Sequence, residues 1–401
     1  MPDIPFGFAL PGGQPPDPRD QEQMRRFLAQ LQQFLTPAGA GPVNWDLARQ
    51  VAASRLGMDG DPQVTPQQRQ RVVEALRLAD LWLDPTSTFP SGVRTAAAWN
   101  RNEWIFHTMD VWKKLCDPVA TRMVGAMNDL VPEEARASLG PIQAVVTALG
   151  GALFGGQLGH ALGSLATEVL SAGDIGLPLG PAGTAALLPA NVAAYGEGLE
   201  VDEEELLLFV ALREAAHQRL FGHVPWLRGH VLTAVETYAA GIRVDREAVE
   251  DAMSRIDPTD LESMRLLRVE GIFSPENTPE QAAALTRIET ALALVEGWVS
   301  HVVDTAASGR LPNAARLAEA FRRRRAEGGP AEQTFAALVG LELRPRRLRE
   351  ATELWAALSS HRGVDGRDAV WGHPDLLPTE EDFADPEAYA KTPPDLDFPP
   401  R

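Results

Sequence analysis

Apolar residues along this chain recur at three- and four-residue spacing over long stretches, and almost nowhere alternate in the manner of a half-buried strand. Helical periodicity begins at Asp20 to Leu35 and returns through Trp45 to Leu56, Pro66 to Leu83 and Trp99 to Met127. Residues Pro141 to Leu170 form a neutral, glycine-rich stretch in which Gly151, Gly155 and Gly159 fall four apart. That spacing lets a second helix approach closely, and the helix carrying His217 is one candidate. After a loop-rich interval, Ser171 to Gly198, helices are expected over Asp202 to Phe221 and Trp226 to Gly241, with further pieces at Arg246 to Met253 and Pro258 to Val269. Asp202 and Glu205 read as a capping box, and Thr278 followed by Pro279 as the start of a helix running to about Ala307. Leu311 to Arg325, Ala331 to Val339 and Pro345 to Ser360 complete the series. The pattern predicts a mainly α protein.

On this basis the chain divides into a Pro/Gly-rich tail (1–19), an N-terminal helical region (20–140), a central core (141–310), C-terminal helices (311–375) and an acidic, Pro-rich tail (376–401). The tail 1–19 has too few apolar groups to order by itself.

Composition narrows the function classes. A net charge of −18 opposes a phosphate backbone, so nucleic acid is not an expected partner. Lysine occurs only at Lys113, Lys114 and Lys391, leaving cationic roles to arginine. The clusters Arg322 to Arg325 and Arg344 to Arg349 are expected on solvated helix faces, where the acidic tail (Glu380, Glu381, Asp382, Asp385, Glu387) is a ready counterpart. A single cysteine, Cys116, excludes an internal disulfide and a cysteine-based metal cluster. Ala144 to Leu153 is too short to span a bilayer, and the N-terminus lacks a signal-peptide pattern. The expectation is a cytoplasmic protein without membrane contact.

The candidate chemistry lies in Arg213-Glu214-Ala215-Ala216-His217. Zinc peptidases of the H-E-x-x-H type place two histidines one helical turn apart as ligands and use the intervening glutamate on the metal-bound water. Glu214 and His217 stand at that spacing, but Arg213 occupies the first ligand position, and a guanidinium has no lone pair to donate. Arg213 falls on the apolar stripe of Leu206, Val210, His217 and Leu220, with no carboxylate one turn away on its own helix. A third ligand would come from another element, and Glu236 and Glu296 compete for the role. Both Arg213 and Glu296 sit among uncharged helical neighbours, so each needs a partner from elsewhere. The expectation is that Arg213 stands in electrostatically for zinc and pairs with Glu296, or with Glu236 if the geometry differs.

The chain also resembles a known family. The carriers are Leu220-Phe221-Gly222-His223-Val224-Pro225-Trp226-Leu227-Arg228 within His217 to Ile242, Phe154-Gly155-Gly156-Gln157, Asp174-Ile175-Gly176-Leu177-Pro178, Leu294-Val295-Glu296-Gly297-Trp298, Gly340-Leu341-Glu342-Leu343-Arg344-Pro345-Arg346 and Trp371-Gly372-His373-Pro374-Asp375. Together, over roughly residues 20 to 385, they are similar to the zincin-like metallopeptidases of type 2, assigned as hydrolases of high-GC bacteria. The resemblance implies a zincin-like helical metallopeptidase fold with N- and C-terminal helical extensions. One branch of the family, associated with deazaflavin-cofactor biosynthesis, keeps the intact motif; the branch this chain resembles has arginine first. By family position Glu296 is preferred over Glu236 as the third ligand. Three readings follow: a binding or scaffolding protein with a degenerate metal site and a protein or peptide partner, a zinc-dependent hydrolase using Glu214 as general base, or a metal-free hydrolase using Glu214 and His217. Zinc is expected to be substoichiometric, and no other cofactor is implied.

Overall fold

A computed structural model describes residues 41–129, 140–244, 273–275, 278–326 and 347–392. The expected tail 1–19, the helices at Asp20 to Leu35, Arg246 to Met253, Pro258 to Val269 and Ala331 to Val339, and the motif Gly340 to Arg346 lie outside these residues, as does the end of the acidic tail.

Within them the fold is mainly helical. The elements in order are α1 (Trp45–Asp59), α2 (Pro66–Leu83), β1 (Thr95–Ala98), α3 (Arg101–Asp129), α4 (Gly140–Ala166), β2 (Thr184–Leu187), α5 (Pro189–Gly196), α6 (Glu203–His223), α7 (Leu227–Ala240), β3 (Ile242–Val244), β4 (Phe273–Pro275), α8 (Pro279–Ala307), α9 (Ala314–Ala326), α10 (Leu348–Asp368) and α11 (Pro386–Lys391). Helix starts follow the sequence signals closely. Thr65 and Gln68 close a capping box on α2, and Thr278 accepts from the Gln281 N–H ahead of Pro279. Asp202 caps α6 through the Glu204 and Glu205 N–H groups. Glu205 does not complete that box; its carboxylate holds the Asn313 N–H and side chain at 2.6 and 2.8 Å, tying α6 to the start of α9.

Helix α6 is central. From Leu206 to Leu220 only Leu208 and Gln218 escape full burial, so the expected one-sided stripe is in fact a helix enclosed on nearly every side. It packs against α2, α5, α8 and β2. Its C-terminal half is anchored by Arg219, 1% exposed, whose guanidinium donates to the Asp80 and Asp84 carboxylates and the Phe89 carbonyl. The glycine stripe of α4 meets α1 rather than α6. A Cβ at Gly155 would lie 2.5 Å from the Asn44 carbonyl oxygen, and one at Gly159 2.5 Å from that of Ala48. The sequence shows that a close partner exists, but any helix with small residues can fill the role.

The two short strands β1 and β2 pair in parallel, Thr95 with Thr184 through Ala98 with Leu187, inside regions where no strand is predicted. Their sequences, TAAA and TAAL, carry no polar–apolar alternation to read. Helix α10 runs past the expected Ser360, kinking at Gly363, whose φ of 69° is open to glycine at little cost. Arg347, from the second arginine cluster, lies 3.7 Å from Glu380 in the acidic C-terminal segment. Among the described residues no helix is long and apolar enough to cross a membrane.

Candidate functional site

Three elements and one loop build the site. Helix α6 supplies Arg213, Glu214 and His217; α8 supplies Glu296 and Ser300; α9 supplies Phe321, Arg324 and Arg325. Residues 170–183 cross over them. This loop is pinned to β2, since Ala172 N–H donates to the Ala186 carbonyl and Leu188 N–H to that of Leu170.

Glu296 is the hub. It is 1% exposed, and three donors converge on its carboxylate: Arg213 Nη2 on Oε2 at 2.6 Å, His217 Nε2 on Oε1 at 2.9 Å and Arg325 Nη2 on Oε1 at 3.0 Å. Burial alone would raise its pKa, but Arg325, Arg213 and His217 outweigh that and hold it well below the usual carboxylate range. Arg213 is 7% exposed, so it does not snorkel to water along the helix edge. Its second amino group reaches Ser300 Oγ at 3.4 Å, and its guanidinium lies 5.2 Å from the centre of the Phe321 ring.

An ionised carboxylate can only accept, so His217 Nε2 must carry the proton it donates to Glu296. The Nδ1 atom of the same ring is buried without a hydrogen-bond partner.

Glu214 is 0% exposed. Its Oε2 accepts from the Gly173 N–H at 2.8 Å and its Oε1 from Gln218 Nε2 at 3.0 Å. Burial pushes its pKa up, only partly offset by His217, Ser171, Gly173 and Gln218. The overlying loop fits with no room to spare. A Cβ at Gly173 would stand 3.0 Å from Glu214 Oε2, and one at Gly176, where φ is 77°, 2.9 Å from Glu296 Oε1. Asp174 holds the loop to α9 by a two-pronged contact with Arg324, Oδ1 at 3.1 Å and Oδ2 at 2.9 Å, while Arg325 donates to the Asp174 carbonyl. Burial raises the Asp174 pKa, but Arg324 and Arg325 carry it below the ordinary value.

The structure thus brings together Arg213, Glu214, His217 and Glu296, four residues singled out in the sequence. Glu236 is exposed on α7 and takes no part in the cluster. The other histidines stand apart: His160 is exposed, His223 closes α6 with Nδ1 3.0 Å from the Arg219 carbonyl, and His301 meets Ser359 Oγ at 2.7 Å. Sequence reasoning missed Asp174, Ser300, Arg324 and Arg325. The Arg322 to Arg325 run was assigned to a solvated face, yet two of its members turn inward to buried carboxylates. The usable signal was Asp174, an acid in a loop rich in apolar residues and glycine.

A tetrahedral zinc site in a zincin takes three protein donors and leaves one position open. Here the donor set does not fit. Arg213 offers no lone pair, and the His217 nitrogen that would face a metal is committed as a donor to Glu296. Two ligand atoms at about 2.1 Å from a tetrahedral zinc stand roughly 3.4 Å apart; the 2.9 Å contact between His217 and Glu296 is a direct hydrogen bond.

Comparison with known proteins places this arrangement. The fold is similar to a crystal structure from Chloroflexus aurantiacus, described as that of a putative hydrolase with a novel fold, with TM-score 0.61 and 20% identity over 87% of this chain and 97% of that one. No curated protein matches the chain. The sequence profile of the zincin-like metallopeptidases matches residues 43–390, which include α6, α8 and α9 with every residue of the buried cluster. The chain belongs to the zincin-like metallopeptidase family.

Proposed function

We propose that this family member uses its zincin-type cleft to bind a protein or peptide ligand rather than to hydrolyse peptides with zinc. The observation that carries the reading is the 2.6 Å contact between Arg213 and Glu296, in which a permanent cation stands where the motif calls for a metal ligand. Burial supports it. Glu214, His217 and Glu296 are each no more than 1% exposed, so the acid–base pair is covered by the rest of the protein.

The test is elemental analysis of protein purified without chelator, alongside a general peptidase assay. The expected outcome is zinc well below one per chain and no chelator-sensitive hydrolysis. One tightly held zinc per chain, with hydrolysis abolished by chelator and by Glu214→Gln, would overturn the proposal. The second reading, hydrolysis with Glu214 as general base, draws support from the raised pKa of that carboxyl. Against it, both Glu214 oxygens are already engaged within the protein.

A further inference from the structure

Helix α9 is held differently from the helices beneath it. Its buried apolar surface is Leu317, Ala318 and Phe321, while Ala315, Arg316, Glu319 and Arg323 face outward. Helix α8, by contrast, is buried without a break from Ala291 to Ser300. The rest of the α9 attachment is polar and sits at its two ends. Asn313 is tied to Glu205 just ahead of the helix, and Arg324 and Arg325 engage Asp174 and Glu296 at the far end.

We propose that α9 is a hinged latch: it pivots about its N-terminal end and lifts Arg324 and Arg325 off Asp174 and Glu296 while the helices beneath stay folded. The proposal rests on the binding reading above and deepens it, naming the element that moves to let a peptide reach Arg213 and Glu296. The pivot is the turn Ser308-Gly309-Arg310, exposed between α8 and α9. Gly309 has a φ of 73°, and no atom lies within 4 Å of where its Cβ would be, so the turn has free space around it. Asn313 lies beside this pivot, and its bonds to Glu205 survive a swing of the far end.

The seam beneath α9 is incompletely filled. Phe321 and Arg325 stand across a gap from Phe209, Arg213, Ser300 and Asp304, with room for about one water molecule. Protein interiors are otherwise close-packed, so parting the two sides along this line gives up fewer contacts than parting a filled seam. The charges also suit a hinged release. When α9 lifts, Arg324 and Asp174 both gain water, and Glu296 keeps Arg213 and His217. No buried charge is left bare. Removing one partner by substitution does the opposite, because it strands the other only while the latch is shut. Charge removal at the latch therefore shifts the balance toward the open form.

The experiment is hydrogen exchange of the full-length protein under native conditions, read by mass spectrometry on α9 and on the centres of α6 and α8. The interior amides of α9 are expected to exchange at least about tenfold faster than those centres, which wait for global unfolding. Two variants separate the routes. Gly155→Ala, at the contact of α4 with α1, destabilises the body, so it should speed exchange in α6 and α8 and leave α9 unchanged. Arg324→Gln leaves Asp174 without its two-pronged partner in the closed form and should speed α9 at least about tenfold. Adding Asp174→Asn to it should restore part of the protection. One common rate in all three helices that rises together in Gly155→Ala, or an α9 rate indifferent to Arg324→Gln, overturns the latch. If Arg324→Gln does not fold, the Gly155→Ala comparison decides alone. Exchange needs neither ligand nor metal, which keeps the two ideas apart. Stoichiometric zinc would end the metal-free reading with the latch intact, whereas uniform exchange would end only the latch.

Discussion

Arg213 and Glu296 form a salt bridge at the centre of the buried cluster. Breaking a buried pair from one side costs about 3–5 kcal/mol, because the remaining charge loses its compensation. The cost should be unequal here. Glu296→Gln strands both Arg213 and Arg325, whereas Arg213→Met leaves Glu296 with Arg325 and His217. The expected result is a larger loss for Glu296→Gln, and a double variant less destabilised than the sum by at least about 1 kcal/mol; thermal or denaturant unfolding of the four proteins measures it, and additivity would dissolve the pairing. Titration adds a second residue-scale outcome. The lowered pKa values of Glu296 and Asp174 give stability that is present above the ordinary carboxylate range and lost as pH falls below it. His301 acts at higher pH. Burial and Arg367, against the opposing pull of Asp368, bring its pKa down from 6.5 to about 4. Between those values the unfolded chain binds a proton that the folded chain does not, so stability declines as pH falls from 6.5 to 4, by about 2–3 kcal/mol at most. A His301→Gln variant should flatten the pH dependence over that interval, and an unchanged slope would assign it to other groups.

At the scale of elements, adjacent glycines of α4 should respond in opposite directions. Gly155→Ala drives a methyl group into the Asn44 carbonyl, forcing α1 away. Overpacking of about 1–3 kcal/mol then exceeds the roughly 1 kcal/mol that alanine gains over glycine in a helix. Gly156 has nothing within 4 Å of a new Cβ, so Gly156→Ala gains that helix propensity and should raise the unfolding temperature. Similar shifts in both variants would mean that the close approach of α1 and α4 does not limit stability. These helices also show what periodicity makes readable. The starts of α6 and α8 followed from Asp202 and Thr278, because a cap is a local hydrogen bond written into a few residues. The partner of the α4 stripe was not readable, because Ala48 and Asn44 are unremarkable in sequence and become partners only by folding. The strands TAAA and TAAL were silent for a related reason: four residues of threonine, alanine and leucine carry no alternation to read.

For the whole molecule, the helical fold and the core of the site were legible because α6 carries a motif and Glu296 an unpartnered charge. The remainder of the cluster was not. Arg324 and Arg325 come from a run that ordinarily faces water, and only the convergence of α9 with residues 170–183 turns them inward to Asp174 and Glu296. Single-chain reading assigns each charge the nearest plausible environment, solvent, whereas the fold assigns it the nearest uncompensated carboxylate.

The hydrogen bond from Gly173 to Glu214 would give a loss of zinc hydrolysis a one-way character. Arg213→His would restore the donor set of an H-E-x-x-H helix in a single step, and its zinc content should rise toward one per chain. Turnover should not return with it, because Glu214 would still be held by a backbone amide that no side-chain substitution removes, beneath a loop that Asp174 and Arg324 fasten down. Peptide hydrolysis by Arg213→His alone would show the path back to be open; zinc without hydrolysis would mark a ratchet, in which the loop has closed behind the substitution on the helix.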